Sequence, residues 1–419
     1  MSHSDAYEPL TLESLAKRLG QLEAVTSRLG PDYNQWTVQE VGDGNLNLVF
    51  IVVGLKGSVI VKQALPYVRL VGDSWPLPLY RAFFENCALT RQAQRTLDCV
   101  PEVFLFNDVQ ALIVMEHLKP HVILRNKLIK GERVAGLGKF VGEFCAQTAF
   151  RGSELSMNSA DKKADVGVFS GNVEIPAISE SLVFTDPYFI AEMNSHNSLL
   201  DPVVRSLRSD VKLKSCVQKM LMKFASNTET MLHGDLHSGS IMSTDSESKV
   251  IDPEFAQYGP MGFDLGMVTA NFLMAYFSQP AHRGNDLDDY QQWILSVIGE
   301  SLKTFRTEFR RLWNTERTGM LYPASLFEDQ GHDSSIACEQ LLADINTDAM
   351  AFCGIEMHRR CLSLAHNADF EDIESPTIRA PLEARNIEMG IQLILEADTV
   401  SDESLLISMA KSYNQRNIL

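Results

Sequence analysis

A chain of 419 residues with 45% hydrophobic and 22% charged side chains has a globular composition and is long enough for two separate cores. Its formal net charge of −17 argues against nucleic acid and anionic membrane surfaces as partners, because phosphate-rich partners demand surplus Lys and Arg. Apolar runs such as Leu48 to Val53 and Ala111 to Met115 are strand-sized, far below a membrane span, and the N-terminal residues carry no apolar signal core. Seven scattered cysteines without a Cys-x-x-Cys pair predict reduced thiols, with neither a disulfide framework nor a zinc site, and the expectation is a cytoplasmic protein.

Residues 9–29 read as one amphipathic helix, capped by Thr11, with Leu12, Leu15, Leu19 and Leu22 on one stripe and Gly30-Pro31 as its end. Trp36 to Glu40 is predicted as a short strand. A glycine turn follows, Val41-Gly42-Asp43-Gly44-Asn45-Leu46-Asn47, and then the strand Leu48 to Val53. A second turn at Gly54 to Gly57 leads into the strand Val59-Ile60-Val61-Lys62. A glycine turn between strands is most often only a hairpin. Here its backbone N–H groups, at Gly44 and Asn45, can cover phosphates, and Lys62 can reach them as a point charge.

A Lys inside an apolar strand calls for a partner. Glu85 is the natural one, on a helix predicted from about Leu79 to Leu97; a solvated helical Glu is the competing reading. Between them Val71 to Pro76 forms a Pro-bounded loop carrying Trp75. Phe104 to Phe106 and Ala111 to Met115 read as two further strands. Polarity then rises at Glu116-His117-Leu118-Lys119-Pro120, where a hinge is expected between a first region, 1–116, and a second, 117–419.

The second region reads as mostly helical. Val134 to Phe150, Leu199 to Thr228, Phe263 to Phe277, Gln291 to Trp313 and Ser334 to His358 carry the helical patterns, while the polar stretch Asn158 to Ser181 is expected to run over the surface. Arg359-Arg360 closes the last of these segments, flanked by Cys353 and by Cys361-Leu362-Ser363-Leu364. An Arg pair on a helix is usually solvated. Stranded among apolar residues it wants a carboxylate or phosphate to hold.

The densest stretch is Met231 to Gly266. Two short apolar runs, each with acids, flank a polar hairpin tip at Thr244 to Lys249: His233-Gly234-Asp235-Leu236-His237 before it, Val250-Ile251-Asp252-Pro253-Glu254 after it. A hairpin would bring Asp235 and the Asp252/Glu254 pair to one mouth. Converging carboxylates are costly unless a cation compensates them or a proton transfer uses one, which suggests a base beside a divalent-metal site. Asp264, opening the next helix, is expected to brace this loop.

His233 to Ser240, HGDLHSGS, resembles the catalytic loop of the aminoglycoside-phosphotransferase and choline-kinase branch of the protein-kinase-like fold, and IDPE stands where that branch carries its metal-binding acids. The order strand, glycine turn, strand, turn, strand-with-Lys is similar to the kinase small lobe. HGDLHSGS followed by DPEFAQYGPMGFDLG is similar to the 5-methylthioribose kinase family in particular. Two departures stand out: Ser240 replaces the usual Asn five residues after the catalytic Asp, and Asp252-Pro253-Glu254 replaces Asp-Phe-Gly.

What the resemblance implies is an α+β, protein-kinase-like two-lobe fold with a small antiparallel β lobe and a larger, mostly helical one. It implies ATP-dependent phosphorylation of the 1-hydroxyl of 5-methylthioribose in methionine salvage. ATP would be held by Gly44, Asn45, Lys62, Glu85, the backbone of Glu116, His117 and Leu118, and by Asp252, Pro253 and Glu254. Asp252 and Glu254 would hold Mg²⁺, Glu254 supplying the oxygen lost with the Asn, unless Ser240 does so. The sugar substrate would meet Asp235 as catalytic group, Trp75, Arg359 and Arg360, in a homodimer. A related small-molecule hydroxyl kinase and a non-catalytic nucleotide-binding protein are the alternatives.

Overall fold

A computed structural model describes residues 6–42, 46–68 and 72–419, without the side chains of 68 and 72–75. The chain divides into two compact units, Met1–Pro120 with Lys249–Glu254, and His121–Ser248 with Phe255–Leu419. A single boundary at 116/117 does not describe this division, because the chain returns to the first unit. The return is fastened by Lys249, which meets Asp98 at 2.7 Å and Glu116 at 3.1 Å, and by the Val250 N–H, which donates to the Cys99 carbonyl at 2.8 Å.

In the first unit the expected single N-terminal helix is two, α1 (Leu12–Leu19) and α2 (Glu23–Leu29), broken at Gly20. Thr11 does cap α1, in a box with Ser14, but Leu12 stays exposed while Leu15 and Leu19 are buried. Strands β1 (Thr37–Glu40), β2 (Asn47–Val53) and β3 (Ser58–Ala64) come next. The predicted loop at 71–76 is instead a ribbon, β4 (Tyr67–Val68) paired with β5 (Gly72–Pro76). Helix α3 (Arg81–Arg95), β6 (Val103–Asn107) and β7 (Leu112–Glu116) complete the unit. The main sheet is antiparallel in the order β1-β2-β3-β7-β6.

Strand alternation decides what each face does. Phe50 and Val52, Val59 and Val61, and Leu112 and Val114 pack with Leu15, Leu19, Val25 and Leu29 of the two N-terminal helices. Lys62 and Ala64 therefore point to the opposite face. There Ala64 packs with Ala82 of α3. Two alanines allow the helix a close approach, and Glu85 lies one turn further along it.

The second unit begins with β8 (Val122–Ile123), α4 (Leu124–Lys130) and α5 (Leu137–Arg151). The polar stretch expected on the surface folds as α6 (Ser159–Phe169) and α7 (Glu174–Leu182). Asn158 caps the first of these, and Lys162, Asp165 and Phe169 form its buried side. Then come α8 (Asp201–Ser209), α9 (Val211–Ser226), β9 (Thr230–Met231), β10 (Ile241–Ser243), β11 (Ser248–Val250), which leads back into the first unit, and β12 (Tyr258–Gly259). Strand β9 pairs with β12, and β10 with β8.

Helices α10 (Phe263–His282), α11 (Leu287–Glu316), α12 (Ser335–Leu362), α13 (Ala368–Glu371), α14 (Pro376–Leu395) and α15 (Glu403–Asn414) make the rest. Every residue from Phe263 to Gln279 is buried, so α10 is the central helix. A Cβ at Gly266 would lie 2.4 Å from the Ala349 carbonyl oxygen, so only glycine lets α10 and α12 approach this closely. No described helix is long and apolar enough to cross a membrane.

His358, fully buried just before the Arg pair, fixes the rotation of α12. Its Nε2–H donates to the Ile387 carbonyl at 3.0 Å, and its Nδ1 accepts from the Tyr188 hydroxyl at 3.1 Å. Burial presses the imidazole down to about 4, against the pull of the Ile387 bond, from an ordinary value of 6.5. The unfolded chain thus takes up a proton that the folded chain refuses, and stability falls as pH drops from 6.5 towards 4. His358→Gln keeps one donor and one acceptor without the titration. We expect it to reduce the stability lost between pH 7 and pH 5 by about 2 kcal/mol, measured by urea unfolding at the two pH values.

Candidate active site

In the first unit, Lys62 stands mid-strand opposite Val49 and Ile113. Its Nζ is 2.8 Å from Glu85 Oε1 and 4.0 Å from Glu254 Oε2, and it pairs with Asp252 Oδ1. Burial works to lower this ammonium, but Asp252, Glu85 and Glu254 outweigh it and hold it above its ordinary value. Burial also pushes Glu85 up to about 7 against the pull of Lys62, with Asp252 and Glu254 adding to the rise. The close Lys62 contact keeps the pair ionic. Asp252 takes a left-handed φ of +67°, unusual outside glycine but tolerated by Asp, and so turns its carboxylate out while Pro253 and Glu254 are buried.

Two residues that the sequence reading passed over belong here. Asn47 Nδ2 donates to Glu254 Oε2 at 3.0 Å, and Arg81, fully buried, donates to Asn47 Oδ1 at 3.1 Å. Glu85, Asp252 and Glu254 can each offer one oxygen within 4.8 Å of the others. An all-oxygen, carboxylate-rich donor set suits a hard divalent cation. Among the described residues, Lys62 and Arg81 are the cations that lie against these three carboxylates.

In the second unit, the His-Gly-Asp turn depends on its glycine. Gly234 has φ +86°, and a Cβ there would lie 2.1 Å from the Phe255 carbonyl oxygen. Asp264 braces the turn as expected: its two carboxylate oxygens accept the His233 N–H at 2.6 Å and the Gly234 N–H at 3.0 Å. The Asp235 carboxylate lies 3.2 Å from Arg360 Nη2 and 3.4 Å from His237 Nε2. Since His237 Nδ1 accepts the Gly239 N–H at 3.0 Å, the neutral ring carries its proton on Nε2, facing Asp235.

Burial works to raise the Asp235 carboxyl, yet His237, Arg360 and Arg359 outweigh it and hold it well below the usual carboxylate range. Burial presses His237 down to about 4, Arg125 and Arg360 helping against the pull of Asp235. At neutral pH the imidazole is therefore uncharged. It contributes a hydrogen bond, and the guanidiniums carry the electrostatic part.

The Arg pair is buried, not solvated. Arg360 donates to Glu356 at 2.5 Å and to the Ala365 carbonyl at 3.2 Å besides Asp235. Arg359 lies 3.8 Å from Glu356, with its Nε and Nη1 buried and without a hydrogen-bond partner, and burial lowers it to about 10. Arg125, tied to Ser238 Oγ at 3.1 Å and Asn271 Oδ1 at 3.0 Å, backs the loop. Ser240 is occupied within the loop, its hydroxyl 3.0 Å from the Asp235 carbonyl and 3.1 Å from His237 Nδ1.

Of the other expected site residues, Gly44 and Asn45 lie outside the described residues. Trp75 is placed on β5 by its backbone, its side chain again outside the description. Glu116 ends β7 bonded to Lys249, His117 Nδ1 meets Ser58 Oγ at 2.8 Å, and Leu118 is buried. Asp235 falls in the second unit and Asp252 and Glu254 in the first. Glu356 was legible in principle, four residues before Arg360 on one helix face. His237 sits inside the motif itself.

Residues 37–293 match the family described as "Phosphotransferase enzyme family". The chain is 40% identical over 411 residues to a methylthioribose kinase of Escherichia coli strain S88, covering 97% of this chain and 98% of that protein. It is 39% identical to methylthioribose kinase 1 of Oryza sativa subsp. japonica, over 90% of this chain and 89% of that one. Among solved structures, a glucosamine kinase in complex with glucosamine, ADP and inorganic phosphate aligns with 90% of this chain and 85% of its own, at 15% identity and a TM-score of 0.48. The chain belongs to the phosphotransferase enzyme family, and within it to the methylthioribose kinases.

Glu356, with no exposed surface, is the buried carboxylate between the two arginines. Removing one partner of a buried pair leaves the other charge uncompensated, at a cost of about 3–5 kcal/mol. Glu356→Gln should destabilise the protein by that amount in urea unfolding. Arg360→Met should do the same, and the double variant should lose clearly less than the sum.

Proposed function

We propose that the protein transfers the γ-phosphoryl group of ATP to the 1-hydroxyl of 5-methylthioribose, giving 5-methylthioribose 1-phosphate in methionine salvage. The observation that carries this reading is the 40% identity to a methylthioribose kinase over nearly the full length of both chains. It is joined by an ionised Asp235 set among arginines.

In this reading the first unit serves the nucleotide. Gly44 and Asn45 cover its phosphates, the backbone of Glu116, His117 and Leu118 meets the adenine, and Lys62, oriented by Glu85, grips phosphate oxygens. The carboxylates of Asp252 and Glu254, next to Pro253, would hold Mg²⁺. When bound, that ion supplies charge neutralisation on the phosphates. Ser240 is engaged by its own loop, which supports Glu254 over Ser240 as the second ligand.

The second unit serves the acceptor. With its low pKa, Asp235 is a weak base; it accepts a hydrogen bond from the sugar hydroxyl, aims it, and takes the proton late, once the hydroxyl has become acidic. Arg359, whose buried Nε and Nη1 have no partner, offers donors to an anionic group, and Arg360 fixes Asp235. Trp75 would cover the sugar. Guanidiniums around Asp235 disfavour a cationic acceptor such as choline or an aminoglycoside. A cytoplasmic homodimer completes the proposal.

The test is an ATP-dependent turnover panel with 5-methylthioribose, choline and an aminoglycoside, followed by phosphorus NMR of the product. Phosphorylation of the sugar at its 1-hydroxyl supports the proposal. Turnover of the amino alcohols instead, or nucleotide binding without any turnover, overturns it. Asp235→Asn should lower kcat by about 10²–10⁴ while nucleotide affinity, read by calorimetry, is kept. Arg360→Lys should lower kcat/KM for the sugar about tenfold to a hundredfold, because an ammonium cannot reproduce the planar fork; wild-type kinetics would remove the Arg from the acceptor side.

A further inference from the structure

The carboxylate of Glu254, 4.0 Å from Lys62 Nζ, accepts a hydrogen bond from Asn47, and Asn47 is tied in turn to Arg81. Arg81 opens α3 with almost no exposed surface. Its Nη1 donates to the Leu65 carbonyl at 2.9 Å, and its Nη2 reaches both the Leu46 carbonyl and Asn47 Oδ1. Its Nε stops 4.0 Å short of Glu254 Oε2 and has no hydrogen-bond partner. Asn47, itself buried, spans that gap and donates from Nδ2 to Glu254 Oε2 at 3.0 Å.

The orientation of the amide is dictated by its neighbours. Turned over, Asn47 would set its NH₂ against the guanidinium N–H groups and its carbonyl against a carboxylate. Both contacts would be repulsive. A direct bidentate Arg–Glu pair would have fixed Glu254 too, but would have neutralised it. An interposed amide orients the carboxylate with a neutral donor, while the guanidinium Nε stays at 4.0 Å. Arg81 and Glu85 also stand four residues apart on one helix face, so the first turns of α3 orient both Glu254 and Lys62.

We propose that Asn47 and Arg81 are positioning residues that hold Glu254 in its metal-binding orientation, so that the magnesium dependence of nucleotide affinity is set by this relay. The inference rests on the assignment of Glu254 as a ligand above. Its test is calorimetric titration of the non-hydrolysable analogue AMP-PNP into the full-length protein, in Mg²⁺ and again in EDTA. The variants are Asn47→Asp, Asn47→Ala, Arg81→Lys and, for the assignment itself, Glu254→Ala, each checked by thermal melting.

Asn47→Asp keeps the shape and the bond from Arg81 but turns the donor facing Glu254 into a like charge. It should weaken binding in Mg²⁺ about a hundredfold and leave binding in EDTA nearly unchanged; Asn47→Ala should lose about tenfold, again only with the metal. Arg81→Lys should retain part of the metal response, since a cation still faces Asn47. Equal losses in Mg²⁺ and EDTA would reduce the relay to scaffold, and no loss would make it a spectator; either overturns the proposal. If Glu254→Ala loses the metal dependence while Asn47→Asp keeps it, only the positioning role falls. If Glu254→Ala behaves as wild type, the ligand assignment falls and the relay with it.

Discussion

An ammonium removed from water must be met by carboxylates, and the first unit is arranged around that demand. Lys62 is driven inward by the alternation of β3, which commits Val59 and Val61 to the core and turns Lys62 towards α3. Its burial is sustained by Glu85, Asp252 and Glu254. Burial first, and then the neighbouring Asp252 and Glu254, push Glu85 upward against the pull of Lys62. Each charge placed here thus calls for a neighbour of opposite sign.

The second unit answers the opposite demand. Asp235 is an anion among Arg359, Arg360 and Arg125, with Glu356 between the first two to keep the cluster from being purely cationic. A carboxylate so stabilised makes a poor proton acceptor in the ground state. Its usefulness lies in geometry, and geometry is what the surroundings enforce: Asp264 pins the backbone of the turn, His237 and Arg360 pin the side chain, and His358 with Gly266 fix the helix from which Arg360 extends.

Much of this was legible where the signal is local. A Lys in an apolar strand, a helix Glu at the right distance, and His-Gly-Asp before a polar hairpin are short patterns with direct physical meaning. What escaped the sequence depended on distance or on compensation. Asn47 and Glu254 are 207 residues apart, and nothing near either announces the other. Helix α6 was hidden because its polar residues include buried ones, Lys162 and Asp165, whose partners lie elsewhere in the chain. Gly20 divided a helix that its leucine stripe had joined, and the Trp75 ribbon looked like a loop because its strands are short.

The return of Lys249–Glu254 to the first unit has a consequence for how the chain comes into being. A nascent chain released as far as Pro120 has its five-stranded sheet and its α3 but, among the described residues, only Glu85 to offer Lys62. The other two acids arrive after 128 further residues, 121 to 248, have been made. Vectorial synthesis, which lets N-terminal domains fold first, therefore yields here a first unit with its charge balance unfinished. The two units cannot be separated by cutting the chain once, and a gene-level exchange of either would have to carry a six-residue passenger from the middle of the other.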